Sequence, residues 1–511
     1  MIDIDRTKNA LRNIVWGMIE KISILIFPFI TRTILIKTLG AEYLGISSLF
    51  TSILQVLSIS ELGFGSAIVF SMYKPIAEND TNLVSALLNT YRKIYYVIGS
   101  IILIAGIVVV PFLPKLIKGE LPLGINLYVL YFIYLANTVI SYYLFAYKQA
   151  LFSAYQRNDL ISKRASLVSI CSSIVQICLL IFFKNYYVYV LVFPLATIAT
   201  NILNAVLADK MFPDIHCRGH ISTDQKKDIK KRIIGLISFK IYSVIFTSVD
   251  TIVISAFIGL TPLAIYNNYY YIQSSIVGFL VILTSSITAG VGNKMVTNSK
   301  EDNYLDFKRF HYINGWIVSW CAVCLLCLYQ PFMKIWVGDE LLFSSSTMVL
   351  MVLYFFLPRI TTLTFTYREA AGLWWEDRFR PIVATVVNLV INIFLVRVIG
   401  INGVLISTLM CTIFINVPWG TVILFKNYFK KSPAEYFKQT IFYILITVLA
   451  GSVTYGTCSI IPLEGIFGLL SCAVTCCIIP NIIFWMFYHK MKEYDYSKEL
   501  VVQMVQKLSR K

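Results

Sequence analysis

A chain of 511 residues that is 58% hydrophobic and 14% charged carries more apolar side chain than a soluble core can hide, which indicates an all-α integral membrane protein. The formal net charge of +17 does not make it a nucleic-acid binder, because basic residues of membrane proteins collect in cytoplasmic loops for topological reasons. Most of the eleven cysteines lie inside apolar runs, as do Cys321, Cys324, Cys327, Cys472, Cys476 and Cys477, so they read as small polarizable hydrophobes; no metal and no cofactor is expected.

The first apolar run opens near residue 13, is too long for a signal peptide and lacks a small-residue cleavage site, so it is expected to remain as a span. Runs of about 20 apolar residues then place about fourteen spans at roughly 13–37, 43–71, 90–113, 123–147, 165–183, 186–208, 233–257, 262–290, 311–330, 343–367, 380–398, 402–425, 438–460 and 464–488. No hydrophilic stretch exceeds roughly 25 residues, which leaves no soluble domain. With the N-terminus inside, alternate loops hold nearly all the basic residues, including Arg92, Lys93, Arg157, Lys163, Arg164 and the series Lys226, Lys227, Lys230, Lys231 and Arg232. The opposite side receives only Lys37, Lys115, Lys118, Lys184, Lys334 and Arg397. That asymmetry puts both termini in the cytoplasm and asks for an even number of spans.

Four cations remain inside the spans: Lys21, Arg32, Lys240 and Arg359. Each costs on the order of 3 kcal/mol to insert, so a chain that keeps them there is expected to have a polar cavity to receive them, and a cavity in a membrane bundle suggests transport. The loop at 209–232, long and highly charged, reads as the joint between two halves. Gly40-x-x-x-Leu44-Gly45-Ile46 is matched by Gly259-x-x-x-Leu263-Ala264-Ile265 at one offset, and Lys21 and Lys240 share that offset. The expectation is a parallel repeat: an N-lobe at 1–210, a basic cytoplasmic linker at 211–232, a pseudo-symmetric C-lobe at 233–427, two further helices at 428–490 and a tail at 491–511, with substrate sited between the halves.

Several of these stretches resemble a known family. Ala10-Leu11-Arg12-Asn13 leading into the first span, Leu39-Gly40-Ala41-Glu42-Tyr43-Leu44-Gly45 at the first turn, Glu61-Leu62-Gly63-Phe64-Gly65-Ser66-Ala67 in the second span, and Ser248-Val249-Asp250-Thr251-Ile252-Val253-Ile254-Ser255 in the seventh look like the Wzx-type polysaccharide flippases of the multidrug/oligosaccharidyl-lipid/polysaccharide exporter superfamily. The resemblance covers the chain through its helix count and loop pattern, with short, degenerate motifs. It implies a V-shaped pair of six-helix lobes in the bacterial inner membrane that pass an undecaprenyl-diphosphate-linked oligosaccharide to the outer leaflet by alternating access. The implied partners are that lipid-linked glycan, membrane lipids, a polysaccharide polymerase and a chain-length regulator. A drug/cation antiporter of the same superfamily, a lipid-linked peptidoglycan-precursor flippase and a membrane glycan polymerase are the alternatives. The antiporter would favour an acidic cavity, and the polymerase would need a large outer loop that is absent from the sequence. A Gly-Lys-Ser/Thr phosphate loop and a zinc-protease motif are also absent, and the four histidines are scattered, so no enzyme is expected.

Within that frame, Lys21 and Arg32 are eleven residues apart, which returns them to one helix face about 16 Å apart along the axis. Together with Lys240 and Arg359, they are candidates to replace the water and counterions of a diphosphate head group. The opposing readings are that Arg32 snorkels to the interface and that Lys21 pairs with Glu20 or a neighbouring helix. Asp250 and Glu61 are candidates for coupling or gating, Asp250 equally for a structural ion pair; Glu61 precedes Gly63 and Gly65, where the second span is expected to loosen. Tyr266, Asn267 and Tyr270 are candidates for sugar contact, or belong to an aromatic belt. Asn388 and Asn392, one turn apart, either line the cavity as sugar contacts or cross-bond helices.

Overall fold

The computed structural model describes residues 6–61, 63–122, 124–297, 299–461 and 465–498; the side chains of residues 6–8, 10, 11, 14, 60, 231, 232, 234–243, 246, 247, 282–294, 296 and 297 lie outside that description. Among the described residues every regular element is a helix. In hydrocarbon, backbone amides must be satisfied within their own segment, and helices achieve this. The order is α1 (Arg6–Thr38), α2 (Ala41–Leu57), α3 (Phe64–Ala77), α4 (Thr81–Val109), α5 (Leu127–Tyr143), α6 (Gln149–Ala154), α7 (Asn158–Phe183), α8 (Tyr186–Met211) and α9 (Thr223–Phe257). It continues with α10 (Leu260–Thr297), α11 (Lys300–Val337), α12 (Ser345–Ile360), α13 (Thr362–Ala370), α14 (Arg380–Ile399), α15 (Ile401–Cys411), α16 (Val417–Leu424), α17 (Ala434–Ile460) and α18 (Gly465–Tyr488).

Nine helices among the described residues are long and apolar enough to cross a membrane, or ten if α5 and α6, bent by 48° to one another, count as one broken span. The expected spans 13–37, 233–257 and 262–290 coincide with α1, α9 and α10, whose incompletely described side chains keep them outside that tally. The expected span 43–71 is two shorter helices, α2 and α3, separated by a 3-10 turn at Ser58–Glu61 and by Gly63 at φ 100°. Large apolar side chains face outward along the spans, for example Leu195, Val206, Val390, Phe394 and Phe467. Such surfaces are tolerable when the surroundings are lipid tails.

Polar residues mark the helix ends. Asp80, Asn126, Asn185, Ser222, Ser299 and Ser344 each accept a hydrogen bond from a backbone amide of the first turn of the helix they precede. These side chains satisfy donors that the helix cannot pair internally. Gly40 and Gly259, equivalent in the sequence repeat, both have strongly positive φ, 117° and 130°. They make the same kind of turn, one between α1 and α2 and one between α9 and α10, in backbone regions that L side chains avoid.

The contacts divide the chain into two compact units, Met1–Ala264 and Ile265–Lys511, the boundary falling in the first turn of α10. In the first unit α1 lies along α7, and α7 packs on α8. Asn13 fastens the start of that seam: its Oδ1 accepts from the Asp159 amide at 2.6 Å, and its Nδ2 donates to the Gln156 carbonyl at 3.1 Å. α9 packs on α2 within this unit, close enough that a Cβ on Gly45 would collide with the Leu260 carbonyl. In the second unit α11 is central, contacting α12, α17 and α18. One end is closed by an aromatic core of Tyr304, Phe307, Tyr367, Phe425, Phe429 and Tyr436.

Candidate substrate and coupling sites

The break between α2 and α3 places a carboxylate among tyrosines. Glu61 Oε1 accepts from the Tyr95 hydroxyl at 2.9 Å, and Oε2 accepts from the Tyr142 hydroxyl at 2.8 Å. The Tyr91 hydroxyl donates in turn to the Tyr95 oxygen at 2.8 Å. Tyr91 and Tyr95 are four residues apart and therefore share one face of α4, while Tyr142 comes from α5. All three rings are buried, with centroids 4.5 Å apart for Tyr91 and Tyr95 and 5.4 Å apart for Tyr95 and Tyr142. An ionised carboxylate only accepts hydrogen bonds, so two hydroxyl donors suit it. Among the described residues no cation forms an ion pair with Glu61. A cavity of about 460 Å³ adjoins this cluster, with Gly65, Tyr73, Tyr91, Tyr95, Gln149 and Ser153 in its wall.

The second unit holds a charged cluster of a different kind. Arg380 grips Asp377 through two parallel bonds, Nε to Oδ1 at 2.6 Å and Nη2 to Oδ2 at 2.8 Å, and its Nη1 reaches Asn416 at 2.7 Å. Arg368 Nε lies 3.5 Å from Oδ2 of the same carboxylate. All three charged side chains are buried. Asn416 ends a π-helical turn, Thr412–Asn416, joining α15 to α16, and a Cβ on Gly420 would overlap the Arg368 guanidinium. π-bulges of this kind re-aim side chains inside a helix. The network is absent from the sequence expectations above; its one local signal is Asp377 three residues before Arg380.

The cysteines are less scattered than expected. The sulfurs of Cys327 in α11, Cys458 in α17 and Cys476 in α18 all lie within 4.8 Å of one another, a set that could hold a soft metal ion. The cause is packing: small side chains let these three helices approach closely.

The remaining sequence candidates fall in several places. Lys21 is exposed on α1, among exposed Met18, Ile19, Ile22 and Ile24. Arg32 is half-buried on the same helix, within electrostatic reach of Tyr189 in α8. Lys240 lies on α9, and its side chain is outside the described residues. Arg359 is half-buried at the end of α12, where its carbonyl and that of Ile360 accept from Asn314 at 3.0 and 3.3 Å. Asp250 is fully buried on α9, two residues after Ser248, whose hydroxyl donates to Gln55 of α2 at 3.3 Å. Tyr266 is buried and stacked on the half-buried Tyr270, centroids 5.8 Å apart, and Asn267 is half-buried beside them. Asn388 and Asn392 are both buried, and Asn388 donates to Thr408 of α15 at 3.1 Å.

Comparison with known proteins bears on what these sites serve. The sequence profile of a family described as polysaccharide biosynthesis protein matches residues 10–288, more than half of the chain. The chain belongs to that family. The match includes the stretches Gly40–Gly45, Glu61–Ala67 and Ser248–Ser255 that carried the resemblance to Wzx-type polysaccharide flippases. Among curated proteins none matches the sequence. Among solved structures, this family member is similar to the lipid II flippase MurJ in an inward closed conformation, with TM-score 0.64 and 15% identity over 94% of this chain and 99% of that one. It is also similar to a multidrug resistance MATE family transporter of the MOP superfamily. The inward-facing form gives TM-score 0.60 and 15% identity over 80% of this chain and 96% of that one; the outward-facing form gives TM-score 0.54 and 15% identity over 83% and 97%. At such identity the likeness concerns the fold, a two-lobe, multi-pass membrane architecture.

Proposed function

We propose that the protein is a flippase of the bacterial inner membrane that carries an undecaprenyl-diphosphate-linked oligosaccharide to the outer leaflet by alternating access, for capsule, O-antigen or exopolysaccharide synthesis. The observation that carries this reading is membership of the polysaccharide biosynthesis family, on a fold shared along 94% of the chain with a protein that flips a lipid-linked glycan precursor. Both lobes rock about the bound head group while the prenyl tail stays in the bilayer, and no covalent step is required. The sequence repeat divides the machine at the 211–232 linker into lobes 1–210 and 233–427, with 428–490 as two appended helices and both termini in the cytoplasm. Lys21, Arg32, Lys240 and Arg359 supply positive charge for the diphosphate, and Tyr266, Asn267 and Tyr270 meet the sugars. A polymerase and a chain-length regulator receive the product on the outer side.

The lipid II flippase fold also favours a second substrate of the same chemistry, a peptidoglycan precursor. Cells in which Lys21→Ala and Lys240→Ala are combined are expected to display less surface polysaccharide at unchanged protein level, with the lipid-linked repeat unit accumulating inside. Normal surface glycan in the double variant would remove the cations from the head-group site, and cell lysis in place of glycan loss would favour the peptidoglycan precursor.

A further inference from the structure

We propose that Cys327, Cys458 and Cys476 form a three-thiol site for a trivalent thiophilic metalloid of the arsenite or antimonite class, which fastens α17 and α18 to α11 through three sulfur bonds. The site is independent of the flippase reading, since it uses side chains that no transport step above involves. The three sulfurs come from three helices and all lie within 4.8 Å of one another. Bonds of about 2.3 Å from sulfur to one shared centre set the sulfurs roughly 3.3–4.0 Å apart, from a pyramid to a plane, so small rotations of the cysteine side chains close the triangle. The frame around it is built without the thiols. Trp320 Nε1 donates to the Cys476 carbonyl at 2.9 Å and Trp316 Nε1 donates to Asn481 Oδ1 at 2.8 Å, which ties α11 to α18. Trp316, Trp320 and Cys327 share one face of α11, at spacings of four and eleven residues. The buried hydroxyls of Thr447 and Ser319 meet at 2.6 Å, which ties α17 to α11. Between α17 and α18, the thiols of Cys458 and Cys472 each reach the other residue's carbonyl at 4.0 Å.

The class of ligand follows from charge. Sulfur binds such centres as thiolate, and among the described residues the set contains no histidine, no carboxylate and no fourth sulfur. Three thiolates around a monovalent ion leave two net negative charges, around a divalent ion one, and around a trivalent centre none. All three helices are long and apolar enough to cross a membrane, so an uncompensated charge between them is costly. Zinc also asks for a fourth ligand. Arsenite at neutral pH is the uncharged trihydroxide, so it enters apolar surroundings without shedding the hydration of an ion. The exchange balances: three arsenic–oxygen bonds and three S–H bonds break, three arsenic–sulfur bonds form, and the three hydroxyl groups leave as water with the thiol protons. Arsenic stays trivalent, and neither an oxidant nor a reductant takes part. Cys327 and Cys476 are buried, and the half-buried Cys458 near the end of α17 marks the side of entry.

The test uses the full-length protein in lipid nanodiscs, kept reduced with a phosphine, and sodium arsenite as the probe with no transport substrate. A single arsenic atom per chain with three sulfur neighbours is expected in X-ray absorption, with no net proton release on binding. The melting temperature should rise with arsenite concentration, because the joined site exists only in the folded chain. Cys327→Ser, Cys458→Ser and Cys476→Ser, each checked for an unchanged melt without arsenite, should each lose the three-sulfur signal. Cys171→Ser combined with Cys178→Ser, on α7, should keep it. The wild-type coordination number decides the matter even where a serine variant fails to fold. Only two sulfur neighbours in the wild type, a three-sulfur signal that survives any of the three single changes, its loss in the α7 double variant, or zinc that displaces arsenite while releasing protons would each overturn the proposal.

Discussion

Two carboxylates, the buried Asp377 and the half-buried Glu61, one in each unit, are held in opposite ways. Asp377 is paired with two arginines, with the guanidinium of Arg380 docked in two parallel bonds. Glu61 is held by neutral hydroxyls alone among the described residues. Removing the Asp377 carboxylate would strand two buried arginines. Removing the Glu61 carboxylate leaves only neutral hydroxyls behind. The lesson is that the Arg368–Asp377–Arg380 cluster is a fixed ionic clamp at the start of α14, whereas the Glu61 cluster is held by neutral hydrogen bonds next to the break after α2.

Removing Asp377 should break that contrast most severely. Asp377→Ala leaves two buried arginines without their carboxylate and should cost about 3–5 kcal/mol, seen as loss of folded protein in detergent thermal melts. The change Glu61→Gln, which removes one acceptor oxygen, should cost less, about 1.5–3 kcal/mol, and a loss equal to that of Asp377→Ala would show that the two clusters are the same kind of structural ion site. Next in size is Tyr142→Phe, which deletes one hydrogen bond to a charged group and should lower stability by about 1.5–3 kcal/mol at neutral pH, with a smaller loss in the Glu61→Gln background. A purely additive double variant would argue that Tyr142 does not act through Glu61. Asn388→Ala, which removes a neutral interhelical bond to Thr408, should cost only about 0.6 kcal/mol at constant protein level.

The sequence revealed what depends on composition and period. Apolar runs located the helices because hydrocarbon demands long uninterrupted segments, and Gly40 and Gly259 marked equivalent turns because only glycine accepts φ above 100° there cheaply. Glu61 stood out as a carboxylate in an apolar run next to two glycines. Its tyrosines did not, since Tyr near a span end is usual in an aromatic belt and the pairing of α4 with α5 arises only on folding. The same holds for Asp377 with Arg368, nine residues apart, and for Cys327 with Cys458 and Cys476, which follow it by more than a hundred residues. Side chains that meet through tertiary packing leave no periodic trace.

The central claim, that the protein moves a diphosphate-linked glycan lipid across a bilayer, is tested most directly in proteoliposomes. A fluorescent undecaprenyl-diphosphate oligosaccharide is placed in both leaflets, and dithionite quenches whatever is exposed outside. With the wild-type protein, quenching is expected to proceed past the outer-leaflet half toward completion, and Lys21→Ala should slow that second phase. Quenching that stops at the outer-leaflet half, in vesicles where the same protein exchanges a cationic drug for protons, would contradict it.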